Sequence, residues 1–98
     1  MGVRSRSSAG GAQFGLAVSS SVVTLTVPNV ANVAEIYVRT NSVSFTRDGT
    51  DPTATQGIQA DPTDIILLNS RAELEDFEVI RVGADATLDI EYFTDLSG

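Results

Sequence analysis

Short stretches of apolar/polar alternation, cut at roughly ten-residue intervals by turn residues, are what most constrain this chain. Val23, Leu25 and Val27 point one way while Thr24 and Thr26 point the other. Pro28-Asn29 stops that strand, because proline has no N–H to give a ladder and asparagine tolerates turn geometry. Ala34, Ile36 and Val38 then face inward with Glu35, Tyr37 and Arg39 outward, and after a Thr40-Asn41 turn Val43 and Phe45 resume the inward face. Asp48-Gly49 is a strong turn dipeptide, and residues 50–63, with Pro52, Gly57 and Pro62, are expected to form the longest loop. The apolar run within Asp64–Asn69 is expected to be a strand buried on both faces. Arg71–Asp76 alone has helical character, with Ser70 as its cap and Glu73 completing a weak capping box. Residues 77–82 and 87–93 read as the strands of a final hairpin whose solvent face, with Glu78, Asp89 and Glu91, is acidic enough to discourage edge-to-edge aggregation. About seven or eight short strands of this kind predict an all-β fold, a small antiparallel β-sandwich of Ig-like or jelly-roll type.

A chain of 98 residues makes one domain and buries roughly 60–70% of its unfolded surface. It contains no histidine, cysteine or tryptophan. Disulfides, thiolate nucleophiles, Cys/His zinc sites and histidine acid–base chemistry are therefore excluded. No apolar run approaches the ~18–20 residues of a membrane-spanning helix. Six arginines and no lysines stand against thirteen acids, for a net charge of −7. Residues 1–60 carry +1 and residues 61–98 carry −8. Such a surface repels phosphate backbones, so neither nucleic acid nor membrane is expected as a partner.

Residues 1–15 are small, polar and Gly/Ser-rich, with Arg4 and Arg6 as their only charges. They lack the apolar core of a secretory signal. They are expected to form a flexible N-terminal arm preceding a β-sandwich domain over 16–98, and the arm can order against a neighbouring subunit through its two arginines. Removing residues 1–13 is then expected to weaken attachment without unfolding the domain.

Only carboxylates remain as candidates for chemistry. Asp48/Asp51 and Asp61/Asp64 share an i, i+3 spacing on loops, a pattern that serves either a hard cation such as Ca²⁺ or, more simply, turn formation. The Ser19-Ser20-Ser21 run has no histidine or lysine to activate it. No catalytic, metal or cofactor residues are assigned, and the chain is expected not to be an enzyme. The candidate partner-binding residues are Arg4, Arg6, Phe14, Tyr37, Arg47, Asp48, Thr50 and Asp51. Aromatic side chains on outward strand positions serve as interface anchors or carbohydrate platforms.

The segments Leu25-Thr26-Val27-Pro28, Ala34-Glu35-Ile36-Tyr37-Val38, residues 43–57 (VSFTRDGTDPTATQG), Asp64-Ile65-Ile66-Leu67, residues 74–81 and residues 86–93 together resemble a family of small virion proteins of tailed bacteriophages. The resemblance spans about residues 25–93, and the DGTDPTATQG stretch is its most specific part. It implies a non-enzymatic protein that decorates or cements the capsid shell by bridging capsid subunits, or one that completes the head–tail junction or tail. The implied partners are the major capsid protein and neighbouring copies of the chain, as a homo-oligomer on the virion, assembled in the bacterial host cytoplasm. The same turn also resembles Ig-like modules attached to glycan-active enzymes, which leaves a glycan-binding module as the alternative.

Overall fold

The computed structural model describes residues 6–95, with side chains described from 11 to 94. Eight strands and one short helix follow one another as β1 (Arg6–Val18), β2 (Val23–Thr24), β3 (Val33–Thr40), β4 (Val43–Thr46), β5 (Ile58–Ala60), β6 (Ile65–Leu68), α1 (Arg71–Asp76), β7 (Glu78–Arg81) and β8 (Ala86–Asp95). Two four-stranded antiparallel sheets pack face to face. The first has the order β1-β8-β3-β6 and the second β2-β7-β4-β5.

The pairs β1–β8, β2–β7, β3–β6 and β4–β5 are all antiparallel. The chain is therefore one long ribbon, folded back on itself at the 47–57 loop and rolled so that the β3–β8 and β4–β7 pairings close the two sheets. That is a jelly roll. An Ig-like sandwich would place β1 beside β2 in one sheet, whereas here β4–β5 is the one consecutive pair among the described strands.

Alternation decides which face each strand buries. Ala34, Ile36 and Val38 of β3, Val43 and Phe45 of β4, and Leu88, Ile90 and Tyr92 of β8 are all buried, as the sequence pattern requires. Leu74 and Phe77 close the end of the core beside α1, and the Phe77 ring lies 5.6 Å from that of Phe45 at 33°. Val23, Leu25 and Val27 pack against this core from its margin. The helix begins as expected. Ser70 Oγ accepts the Glu73 N–H at 3.2 Å, although Glu73 reaches back to the Asn69 N–H at 2.8 Å rather than to that of Ser70 itself.

Four expectations are corrected. Residues 6–15 belong to β1, so the arm-to-domain boundary drawn at 15/16 falls inside a strand. Backbone pairing from Arg6↔Asp95 to Val18↔Ala86 supports it even where side chains are small, and Gln13 ties it down further, its Oε1 accepting Tyr92 Oη–H at 2.6 Å and the Thr26 N–H at 3.2 Å. The 50–63 stretch is interrupted by β5, which pairs with β4 through Val43↔Ala60 and Phe45↔Ile58. The apolar run 65–68 is buried on one face only, because β6 is an edge strand with no layer over its outer side: Ile66 and Leu68 are in the core while Ile65 and Leu67 are 55% and 47% exposed. Finally, residues 82–85 form an arch between sheets rather than a hairpin turn, since β7 and β8 lie in different sheets. Glu78 therefore does not share a face with Asp89 and Glu91.

Candidate functional site

The strand register assembles a surface on the outer side of the first sheet. One cross-strand row runs Ala12, Glu91, Glu35, Leu67, and the next runs Asp89, Tyr37, Ile65. The inward neighbours of these residues fill the core, so their own side chains must point to solvent. Tyr37 is half-buried, and its hydroxyl donates to Glu35 Oε1 at 2.7 Å. That bond first, then partial desolvation and the negative charges of Glu35 and Glu91, push the phenol up to about 12. Tyr37 is thus a neutral donor across the physiological range. Glu35 and Glu91 face each other directly across the β3–β8 ladder.

Beside this patch, Arg39 Nη1 pairs with Asp89 Oδ2 at 2.8 Å. Asp89 Oδ1 accepts the Gly15 N–H at 2.8 Å. That backbone bond first, and then Arg39, hold the Asp89 carboxyl below the usual carboxylate range. Register shifts between Ser8/Ala12 and Gln13/Leu16 kink β1 here, and Phe14 stands 74% exposed. Phe14, Gly15, Arg39, Thr40, Thr87 and Asp89 line a shallow open groove of about 550 Å³. Its walls are a pleated sheet surface, which suits contact with another surface better than enclosure of a small molecule.

Of the sequence candidates, the fold brings Phe14 and Tyr37 to this outer face. Arg47, Asp48, Thr50 and Asp51 lie elsewhere, on the β4–β5 loop at the end of the roll that carries α1. Arg4 lies outside the described residues, as does the side chain of Arg6. The Arg47 guanidinium carbon sits 5.3 Å from the Phe45 ring centroid. Asp48 Oδ1 accepts the Thr50 N–H at 3.0 Å, a turn-forming bond that lowers the Asp48 pKa. The loop folds back onto its own sheet, with Pro52 buried and Ser44 Oγ donating to the Gln56 carbonyl at 3.2 Å. Beneath it, Glu78 is held above the usual carboxylate range, first by sharing a hydrogen bond with Asp51, then by burial and the charges of Asp51, Asp76 and Asp48. Its Oε1 is buried without a hydrogen-bond partner. The second carboxylate pair lies beyond β5 and also builds a turn. Asp61 N–H donates to Asp64 Oδ2 at 2.8 Å, and Asp61 Oδ1 accepts from Ser42 at 2.6 Å and Gln59 at 2.9 Å. Among the described residues no three carboxylates are placed to hold a metal ion together.

Ile65, Leu67, Glu35 and Glu91 were missed as site residues. The signal was present in the unbroken apolar run at 65–68, which admits either two buried faces or one buried and one exposed. The joining of Glu35 to Glu91 depends on β3–β8 pairing, which no local pattern encodes.

The fold defines an all-β, jelly-roll domain with an outward apolar and acidic sheet face. Comparison of the chain with protein families, with curated proteins and with solved structures found no match.

Proposed function

We infer that this chain is a non-enzymatic structural protein of a tailed-bacteriophage virion, one that decorates or cements the capsid shell by bridging capsid subunits. The observation that carries the reading is the outer face of the first sheet. A rigid jelly roll presents two apolar edge-strand side chains, Ile65 and Leu67, beside the half-buried Tyr37 and two carboxylates. A monomer gains nothing from exposing paired isoleucine and leucine, whereas a docking module does. Jelly rolls recur in viral capsid and lectin domains. Fold alone does not choose between those uses, and the resemblance of residues 25–93 to virion proteins favours the first. The major capsid protein and neighbouring copies of the chain are the partners this reading requires.

Two other readings remain distinct in their consequences. A head–tail connector or tail component would use the same face at low copy number. A glycan-binding module would use the groove beside Phe14, where an exposed aromatic ring stands near Arg39 and Asp89. Quantitative mass spectrometry of purified particles separates them. A copy number comparable to that of the major capsid protein is expected for a decoration or cement role. A handful of copies per particle moves the chain to the head–tail axis. Absence from particles, with retention on insoluble chitin, overturns the virion reading in favour of glycan binding.

A further inference from the structure

We propose that β6 is the contact edge of a two-fold dimer, in which two copies of this chain join their first sheets by antiparallel β6–β6 pairing. This rests on the assembly reading, which has neighbouring copies as partners, and names the strand through which they meet. The joined sheet would run β1-β8-β3-β6 and then the same order reversed in the second copy.

Of the four sheet edges among the described strands, β6 is the one without a guard. β1 is kinked by two register shifts, β2 has two residues, and β5 has three and follows Gly57 at φ +137°. Short or bulged edges of that kind resist pairing with another chain. β6 has the sequence Ile-Ile-Leu-Leu, with no charge, proline or glycine, and pairs with β3 without a shift. Among the described residues no strand covers its other side. A regular, apolar edge is a template for one more strand.

The backbone sets the register. Val38 N–H donates to the Asp64 carbonyl at 3.1 Å, and the ladder continues through Ile36↔Ile66 and Ala34↔Leu68. Bonded and non-bonded pairs alternate in an antiparallel ladder, so Asp64, Ile66 and Leu68 turn their backbone groups to β3. The N–H and C=O groups of Ile65 and Leu67 therefore point to the open edge. A two-fold axis at Ile66, normal to the sheet, sets Ile65 of each copy opposite Leu67 of the other as a bonded pair. The same axis keeps both outer faces on one side, so the exposed Ile65 and Leu67 side chains of the two copies form one apolar cluster. Such a self-complementary patch is what a two-fold contact requires.

Area fixes the strength. Ile65 and Leu67 are 55% and 47% exposed, so two copies bury on the order of 400 Å² of apolar side chain there. Stable interfaces bury about 1,200 Å² or more. The dimer is therefore weak in solution, in the high-micromolar range, and matters where copies are held at high effective concentration on a shared surface. Each copy carries a net charge of −7, so salt strengthens the contact by screening.

The test is sedimentation velocity of the full chain from roughly 10 μM to 1 mM, at low and high salt. A monomer–dimer equilibrium that salt strengthens is expected. Ile65→Thr combined with Leu67→Lys places a guarding charge on solvent-facing positions. It should raise the dissociation constant roughly tenfold or more while the melting temperature of the dilute chain is unchanged. Register is read by disulfide trapping, since the chain has no cysteine of its own. A mixture of Ile65→Cys and Leu67→Cys chains should cross-link faster than either variant alone, because bonded pairs stand about 5.5 Å apart at Cα, within disulfide reach. A monomer at every concentration, a dimer untouched by the double variant, or faster cross-linking of either cysteine variant with itself would each overturn the proposal. Association that salt weakens would overturn it in favour of ion pairing between copies. A monomer leaves particle copy number untouched, and absence from particles leaves a solution dimer standing, so the two readings fail separately.

Discussion

Gly57→Ala should be the most damaging single-methyl substitution in the β4–β5 loop, and Gly49→Ala supplies its control. Both glycines have positive φ, +84° at Gly49 and +137° at Gly57. At Gly49 an added Cβ meets nothing nearer than the Asp76 carboxylate at 3.9 Å. Its cost is left-handed strain of about 1–2 kcal/mol, partly offset by about 0.4–1 kcal/mol from the stiffer unfolded chain, for a net loss of about 1 kcal/mol. At Gly57 the added Cβ would lie 2.4 Å from Ser44 Oγ, 3.1 Å from the Phe45 carbonyl oxygen and 3.4 Å from Pro52 Cβ. Ser44 is 3% exposed and has little room to turn away, and its hydroxyl is held by the Gln56 carbonyl. Strain of about 1–3 kcal/mol, overpacking of about 1–3 kcal/mol and a lost hydrogen bond of about 1 kcal/mol together give roughly 3–5 kcal/mol after the unfolded-state offset. For a domain of this size that is a fall of about 15 °C or more in melting temperature, read by far-UV circular dichroism. The double variant Ser44→Ala/Gly57→Ala removes the closest contact, so it should recover about 1–2 kcal/mol relative to the sum of the singles. A Gly57→Ala loss no larger than that of Gly49→Ala, or strict additivity in the cycle, would refute the claim that the loop is clamped onto Ser44.

Phe45→Ala should cost about 3–5 kcal/mol in urea titration, since it empties a core position and removes the Phe77 ring contact; a loss under about 1 kcal/mol would contradict its burial. Glu78→Gln should stabilise the protein increasingly as pH rises. The folded carboxyl is raised above its ordinary 4.5, so on going up from that pH the unfolded chain releases its proton first, and the native state loses stability until Glu78 ionises too. Asp48, Asp61 and Asp89, held below 3.8, act in the opposite direction and lose their contribution only as pH falls through their folded values. Melting temperatures of wild type and Glu78→Gln should therefore agree at about pH 4 and diverge at about pH 7.5, and a constant difference would contradict a Glu78 carboxyl held above its ordinary range by its acidic neighbours. Deleting residues 1–13 should lower the melting temperature, contrary to the sequence expectation, because it removes much of β1 and the Gln13 acceptor of Tyr92; an unchanged transition would show that β1 adds nothing to the sheet. Thr63→Gly should raise stability by about 0.5–1 kcal/mol, since Thr63 holds φ at +79°, where a β-branched residue is strained.

What alternation could disclose, it did. The inward positions Ala34, Ile36, Val38, Val43, Phe45, Leu88, Ile90 and Tyr92 follow from period two, because each side chain's face depends only on its neighbours along the strand. Which sheet a strand joins depends on segments far away in sequence. The 82–85 stretch has the composition of a hairpin turn and serves as an arch. Arg6-Ser7-Ser8 has poor strand propensity and pairs regardless, since β8 supplies backbone partners and makes no demand on side chains.

The candidate site was hidden for the same reason. Glu35 and Glu91 are unremarkable outward acids on two strands until β3 and β8 pair, and then they stand directly opposite each other. Ile65 and Leu67 look like core until β6 is found at an edge. Exposed apolar area is a cost that the isolated domain carries, and at Ile65 and Leu67 it falls on adjoining rows of one face. Scattered costs of this size are ordinary on a protein surface. Their coincidence is not, because a single partner surface covers both side chains at once. That coincidence is the reason to look for function on this sheet face before the acidic loop that dominates the sequence.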